Sequence, residues 1–102
     1  MPTHHNTEEQ ISIAFNALAH PRRVRIFRAL QRFGILSFED IAAITKIPAP
    51  SLTHHIRVLK RAGFVLSKPR GSYTDFRLDQ AQFQMWFGAP SYLSKEPRPL
   101  AA

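Results

Sequence analysis

The sequence predicts a mainly α fold with a β-hairpin wing: a winged helix-turn-helix in a single domain. Three observations carry that prediction. Two short helical patterns are separated by Lys46-Ile47-Pro48-Ala49-Pro50, where each proline disfavours helix in the residue before it. The second pattern, Ser51-Leu52-Thr53-His54-His55-Ile56-Arg57-Val58-Leu59-Lys60-Arg61-Ala62-Gly63, runs straight into two β-prone segments joined by Arg70-Gly71. Residues 41–74 contain no acidic side chain, although Lys46, Arg57, Lys60, Arg61, Lys68 and Arg70 all fall among them.

Each element has a local reason. Thr7-Glu8-Glu9-Gln10 has the hydroxyl-x-x-Gln spacing of a capping box, and Ile11, Phe15 and Leu18 follow at helical intervals, so a first helix is expected over 7–19. Residues 1–6 before it read as a flexible N-terminus. Pro21 suits the first turn of a second helix, because its locked φ is helical and its missing N–H would have lacked a partner there; Gly34 stops that helix. Ile26, Phe27, Leu30 and Phe33 line its core side, while Arg25, Arg28 and Arg32 recur at i, i+3 and i+7 on another side and read as a solvated face. Ser37-Phe38-Glu39-Asp40 caps a short third helix over 38–45, with its carboxylates at the end the helix dipole favours. A fourth helix can begin only near 49–51, and the third and fourth together make the helix-turn-helix.

In the fourth helix Leu52, Ile56 and Leu59 stand at i, i+4 and i+7 and face inward, so Thr53, His54, Arg57 and Arg61 project from the opposite side. Ala62-Gly63 ends it. Phe64-Val65-Leu66-Ser67-Lys68 is β-prone, Gly71 supplies a turn, and Ser72-Tyr73-Thr74-Asp75-Phe76-Arg77-Leu78 alternates as a strand with one wet face should. Asp79 caps a last helix over 80–87, whose Phe83, Met85, Trp86 and Phe87 make an apolar end closed by Gly88 and Pro90. Covering that end requires the first helix of the same chain or a second copy of the protein. The domain is thus expected over 7–88, followed by a Pro-rich flexible tail over 89–102.

Bulk properties narrow the function. A formal charge of +7 and a pI near 10.9 favour a polyanionic partner, either nucleic acid or an anionic membrane surface. No run of about 18 apolar residues occurs, and the N-terminus lacks the basic-then-apolar order of a signal peptide, so a soluble cytoplasmic protein with no membrane partner is expected. The absence of cysteine excludes disulfides, thiolate metal sites, cysteine nucleophiles and thiol switches. No Gly-rich phosphate loop occurs, and Ser51, near His54 and His55, lacks an acid to complete a triad, so neither an enzyme nor a cofactor is expected.

A basic helix followed by a basic hairpin suits a duplex groove. The residues expected to meet DNA are Ser51, Thr53, His54, Arg57 and Arg61 from the helix, with Lys68, Arg70 and Ser72 from the hairpin. The competing interpretation of Arg57, Lys60, Arg61, Lys68 and Arg70 is a solvated basic surface, which the acid-free stretch disfavours. Adjacent His54 and His55 point about 100° apart on a helix, which is unsuited to holding one metal ion. His54 is read as a donor to phosphate or a base edge, His55 as a structural residue at the core boundary.

Placed in this order, the residues resemble the ArsR family of winged helix-turn-helix transcription regulators over 11–87. Ala17-Leu18-Ala19-His20-Pro21-Arg22-Arg23-Val24-Arg25-Ile26-Phe27 resembles the family's early signature. Leu52 through Val65, with Ala62-Gly63-Phe64-Val65 at its end, is similar to its recognition helix, and Gly71 through Leu78 to the return strand of its wing. The resemblance implies a homodimer formed by the first and last helices, through Ile11, Phe15, Phe83, Trp86 and Phe87, that binds a palindromic operator and represses transcription. A two-fold arrangement would set the two recognition helices one DNA turn, ~34 Å, apart.

The departures from the family pattern matter equally. Members commonly begin the recognition helix with Ser-Gln-Ser, where this chain has Pro48-Ala49-Pro50, so polar base contacts are lost and only apolar contact, for instance with a thymine methyl, remains. The cysteines and last-helix histidines that metal-sensing members use are missing from this sequence. The alternative reading is a winged-helix scaffold for protein interaction, or a sequence-independent nucleic-acid binder. An effector of small-molecule type is compatible with the repressor reading, and the sequence names none.

Overall fold

The computed structural model describes residues 7–87, with side chains for 8–85. The elements run α1 (Thr7–Leu18), α2 (Pro21–Phe33), β1 (Leu36–Ser37), α3 (Phe38–Thr45), α4 (Ala49–Arg61), β2 (Val65–Arg70), β3 (Tyr73–Leu78) and α5 (Gln80–Phe87). The expected mainly helical architecture with a hairpin wing is what forms. The flexible N-terminus expected over 1–6, the last position of the domain at 88 and the tail expected over 89–102 lie outside the described residues.

The helix boundaries follow their capping chemistry. The Arg22 backbone N–H donates to Nδ1 of His20 at 3.2 Å, so His20 caps α2 immediately before Pro21. At the other end Gly34 takes a φ of 87°, which a side chain would disfavour, and its N–H closes on the Leu30 carbonyl at 2.9 Å. Ser37 caps α3 by accepting the Asp40 N–H at 3.1 Å. Lys46 sits in the left-handed region at φ 62°, donating to the Ala42 carbonyl, and this turns the chain toward α4. Pro48 precedes α4 without any side-chain cap, as the replacement of a hydroxyl residue there implied. Asp79 caps α5 through its Oδ1, which accepts the Gln82 N–H at 3.0 Å.

Four helices converge on one core. Ala14 and Ala17 of α1, Ile26 and Leu30 of α2, Ile41 of α3, and Leu52, Ile56 and Leu59 of α4 are buried together with Phe64, Val65, Phe76 and Leu78. Withdrawing one such aliphatic side chain from water contributes about 1.5–3 kcal/mol, so the inward face of α4 anchors it firmly. Phe27 meets Phe64 edge-on at a centroid distance of 5.7 Å and Phe83 of α5 at 5.6 Å, which pins the last helix to α2 of the same chain.

The sheet has the order β1-β3-β2 and is antiparallel throughout, with Leu36 opposite Phe76 and Val65 opposite Leu78. The structure departs from the sequence reading at three points. The two-residue β1 went unforeseen: its pairing partner lies far along the chain, and its length gives no alternation to read. Phe33, expected on the core side of α2, is 51% exposed, because it is the last residue of the helix and stands with Ile44 at the edge of a surface groove. The first helix ends at Leu18 rather than at Ala19.

Candidate nucleic-acid interface

Helix α4 divides cleanly into two faces. Leu52, His55, Ile56 and Leu59 are buried, whereas Thr53, His54, Arg57, Lys60 and Arg61 are exposed, so the four side chains expected to project all do so. Ser51 is half-buried at the start of the helix. Thr53 Oγ1 donates to the Ala49 carbonyl at 3.1 Å, which holds the hydroxyl against the first turn. Between this face and the sheet lies a concavity of about 560 Å³, with Phe38, Ile56 and Phe76 as its apolar floor and Thr53, Arg57, Lys60 and Arg61 as its rim.

The wing is coupled to the helix and to itself. Lys60 Nζ donates to Ser67 Oγ at 2.7 Å, joining the last turn of α4 to β2. Arg70 holds Asp75 across the hairpin in a two-pronged pair, Nε to Oδ2 at 2.7 Å and Nη2 to Oδ1 at 3.0 Å, and its guanidinium lies 5.2 Å from the Tyr73 ring centroid. Those hydrogen bonds hold the Asp75 carboxyl below its ordinary 3.8 and raise Arg70 further. Lys68 and Ser72 are exposed beside this pair. The bond geometry makes Arg70 a preoriented cation rather than a loose one, a constraint that the sequence did not reveal.

Behind the helix sits a cluster that sequence reasoning missed. His55 is 6% exposed; its Nδ1 accepts the Arg23 Nε–H at 3.1 Å, and its ring centroid lies 4.6 Å from that of His20. Burial pushes its pKa below 6.5, and the neighbouring His20 and Arg23 charges push the same way. Accepting at Nδ1 requires the neutral imidazole. Among the described residues no group of three His, Asp or Glu could hold a metal ion.

The residues expected at a subunit contact are spread along two helices. Ile11 is half-buried on α1, Phe15 is 57% exposed, and Phe83 is half-buried against Phe27. The side chains of Trp86 and Phe87 lie outside the described part of α5. Met85, part of the apolar end expected to need covering, is 70% exposed, and Ile13, 50% exposed, adds apolar surface that the sequence reading did not single out.

This geometry has relatives. The family model described as a helix-turn-helix domain matches residues 18–67, from the end of α1 into β2. An uncharacterised HTH-type transcriptional regulator of Methanocaldococcus jannaschii is 31% identical over 65 residues, covering 64% of this chain and 73% of that protein. The transcriptional repressor SdpR of Bacillus subtilis is 30% identical over 70 residues, 69% of this chain and 77% of its own. This chain belongs to the HTH-type transcriptional regulators.

The regulator's fold is that of the ArsR-family winged members, as its motifs suggested. A homodimeric winged helix-turn-helix DNA-binding domain from Mycobacterium bovis, a possible ArsR-family regulator, superposes with a TM-score of 0.71 at 22% identity, covering 94% of this chain and 92% of that one. The transcriptional repressor BigR of Xylella fastidiosa superposes with a TM-score of 0.67 at 21% identity, covering 81% of this chain and 91% of its own. Among the described residues no helix is long and apolar enough to cross a membrane.

Proposed function

We propose that this HTH-type regulator is a homodimeric, sequence-specific DNA-binding repressor, in which α4 enters the major groove of a palindromic operator and the wing follows the adjacent backbone. The observation that carries the reading is the two-faced α4: a buried Leu52-Ile56-Leu59 seam fixes the orientation of an exposed Thr53-His54-Arg57-Arg61 face within an acid-free stretch. Arg57 and Arg61 are suited to guanine edges or phosphates, Thr53 and His54 to hydrogen bonds, and Ser51 to the backbone at the helix start. Arg70, Lys68 and Ser72 extend the contact from the wing, where Asp75 sets the angle of Arg70.

Repression is supported by the two relatives named as repressors, and dimer formation by the homodimeric Mycobacterium bovis domain. For this chain the pairing surface is α1 with α5, through Ile11, Phe15, Phe83, Trp86 and Phe87, joined by Ile13 and Met85. No chemistry is required of the site, and the protein works in the cytoplasm, where its operator is. An effector that releases the operator is compatible with this scheme and has no assigned chemistry.

One observation favours a second reading. Pro48 leaves the start of α4 without a side-chain cap, and Ala49 and Pro50 offer no hydrogen bond to a base, which fits sequence-independent binding. Selection of bound duplexes from a random pool separates the two. The repressor reading requires enrichment of a palindrome whose half-sites lie ~10 bp apart. Equal affinity for unrelated duplexes, with a steep loss on adding salt, would establish the alternative.

A further inference from the structure

The arginines of α2 have a neighbour that the sequence could not place beside them. Arg25, Arg28 and Arg32 border a shallow groove of about 530 Å³ between α2 and α3, together with Phe33 and Ile44. Phe33 is 51% exposed and Ile44 43% exposed. Arg25 donates one N–H to the Thr45 carbonyl at 2.9 Å, fixing the last turn of α3 against α2 and leaving its other donors for the groove. Arg32 lies over the Phe33 ring, 5.4 Å from its centroid. Among the described residues neither Arg28 nor Arg32 has an ion pair, and no carboxylate lines the groove.

The groove is separate from the concavity beside α4: the two share no lining residue, the first being lined by α2 and α3 from Arg25 to Ile44 and the second by Phe38, Phe76 and α4. A purely solvated arginine stripe would not need exposed phenyl and branched aliphatic carbons between its charges. A phosphate backbone would find no use for them either, whereas cations around an apolar strip complement a segment that alternates carboxylates with large apolar side chains.

We propose that the α2–α3 groove docks an acidic segment of a second protein, its Asp or Glu side chains forked onto Arg28 and Arg32 and its Leu or Phe side chains seated on Phe33 and Ile44. An amphipathic helix laid in a groove is the binding mode such a surface fits. The regulator then carries two distinct interfaces, one cationic-polar for the duplex and one cationic-apolar for a protein partner.

The test uses the full chain and a fluorescein-labelled Asp-rich peptide with Leu and Phe at helical spacing, at ~0.15 M salt, where charges more than ~8 Å apart are largely screened. Saturable anisotropy is expected, with amide shifts concentrated at Arg28, Arg32, Phe33 and Ile44. The double variant Arg28→Glu with Arg32→Glu should weaken peptide binding at least ~tenfold, and Phe33→Ser should weaken it too, with unchanged melting midpoints. An Asp-Gly peptide without apolar residues should bind far more weakly. The proposal is overturned by unsaturable binding, by equal affinity for the Asp-Gly peptide, or by charge reversal that weakens binding to a duplex or to anionic vesicles instead of to the peptide.

Discussion

Arg23 and His55, 32 residues apart in sequence, are joined by a hydrogen bond of 3.1 Å from the Arg23 Nε–H to the His55 Nδ1. The bond ties the first turn of α2 to the buried side of α4, directly behind the face proposed to meet DNA. It exists only while the imidazole is neutral, and burial with the surrounding His20, Arg22, Arg23 and His54 keeps it so.

Stability should therefore fall on acidification. In the unfolded chain His55 takes up its proton near 6.5, whereas in the fold it does so at lower pH, so between the two values only the unfolded state binds the proton. The stabilisation is complete above about 6.5 and is lost as pH falls through the folded value. Urea midpoints measured across that window should drop for the wild type and drop less for His55→Gln, which retains His20 and His54. Parallel slopes for both proteins would contradict the assignment.

Arg57 and Arg70 should fail differently. Arg57→Ala should cost specific binding ~1–3 kcal/mol and relax the preference at one base position. Arg70→Ala should weaken all duplexes alike and reduce the salt dependence by about one counterion. Titrations of a selected and a random duplex at two salt concentrations distinguish these outcomes, and unchanged affinity for both variants would remove the two residues from the interface.

Asp75 restrains the wing cation. Asp75→Asn removes the carboxylate that Arg70 grips, and with it a negative charge beside the duplex, so affinity for random duplex should rise. The double variant with Arg70→Ala should show less gain than Asp75→Asn alone, because the two residues act as a unit. Identical increments in both backgrounds would mean that the pair does not govern duplex binding.

The exposed apolar side chains of α1 should matter to assembly rather than to folding. Ile13→Ser combined with Phe15→Ser should convert a dimer to a monomer in sedimentation, with helical circular dichroism retained. A persistent dimer would move the subunit contact elsewhere.

Much of the fold was legible because its signals are local. Capping residues, prolines and the Leu52-Ile56-Leu59 spacing each act within a turn or two of the chain, and the helix bounds follow them closely. The exposed face of α4 was legible for the same reason, as the complement of its buried seam. What escaped depends on distant partners. β1 exists because Phe76 and Asp75 of β3 come alongside it, and the contact of Phe83 with Phe27 of α2 could not be read from either helix alone. The His55–Arg23 bond, the Lys60–Ser67 bridge and the Arg70–Asp75 clamp likewise depend on geometry that no short window of sequence contains.

The most direct measurement is amide and side-chain NMR of the uniformly labelled protein during titration with a duplex recovered by selection. Saturating shifts centred on Thr53, His54, Arg57 and Arg61, extending to Lys68, Arg70 and Ser72, are predicted. Shifts confined to α1 and α5, or none with any duplex at modest ionic strength, would contradict the account.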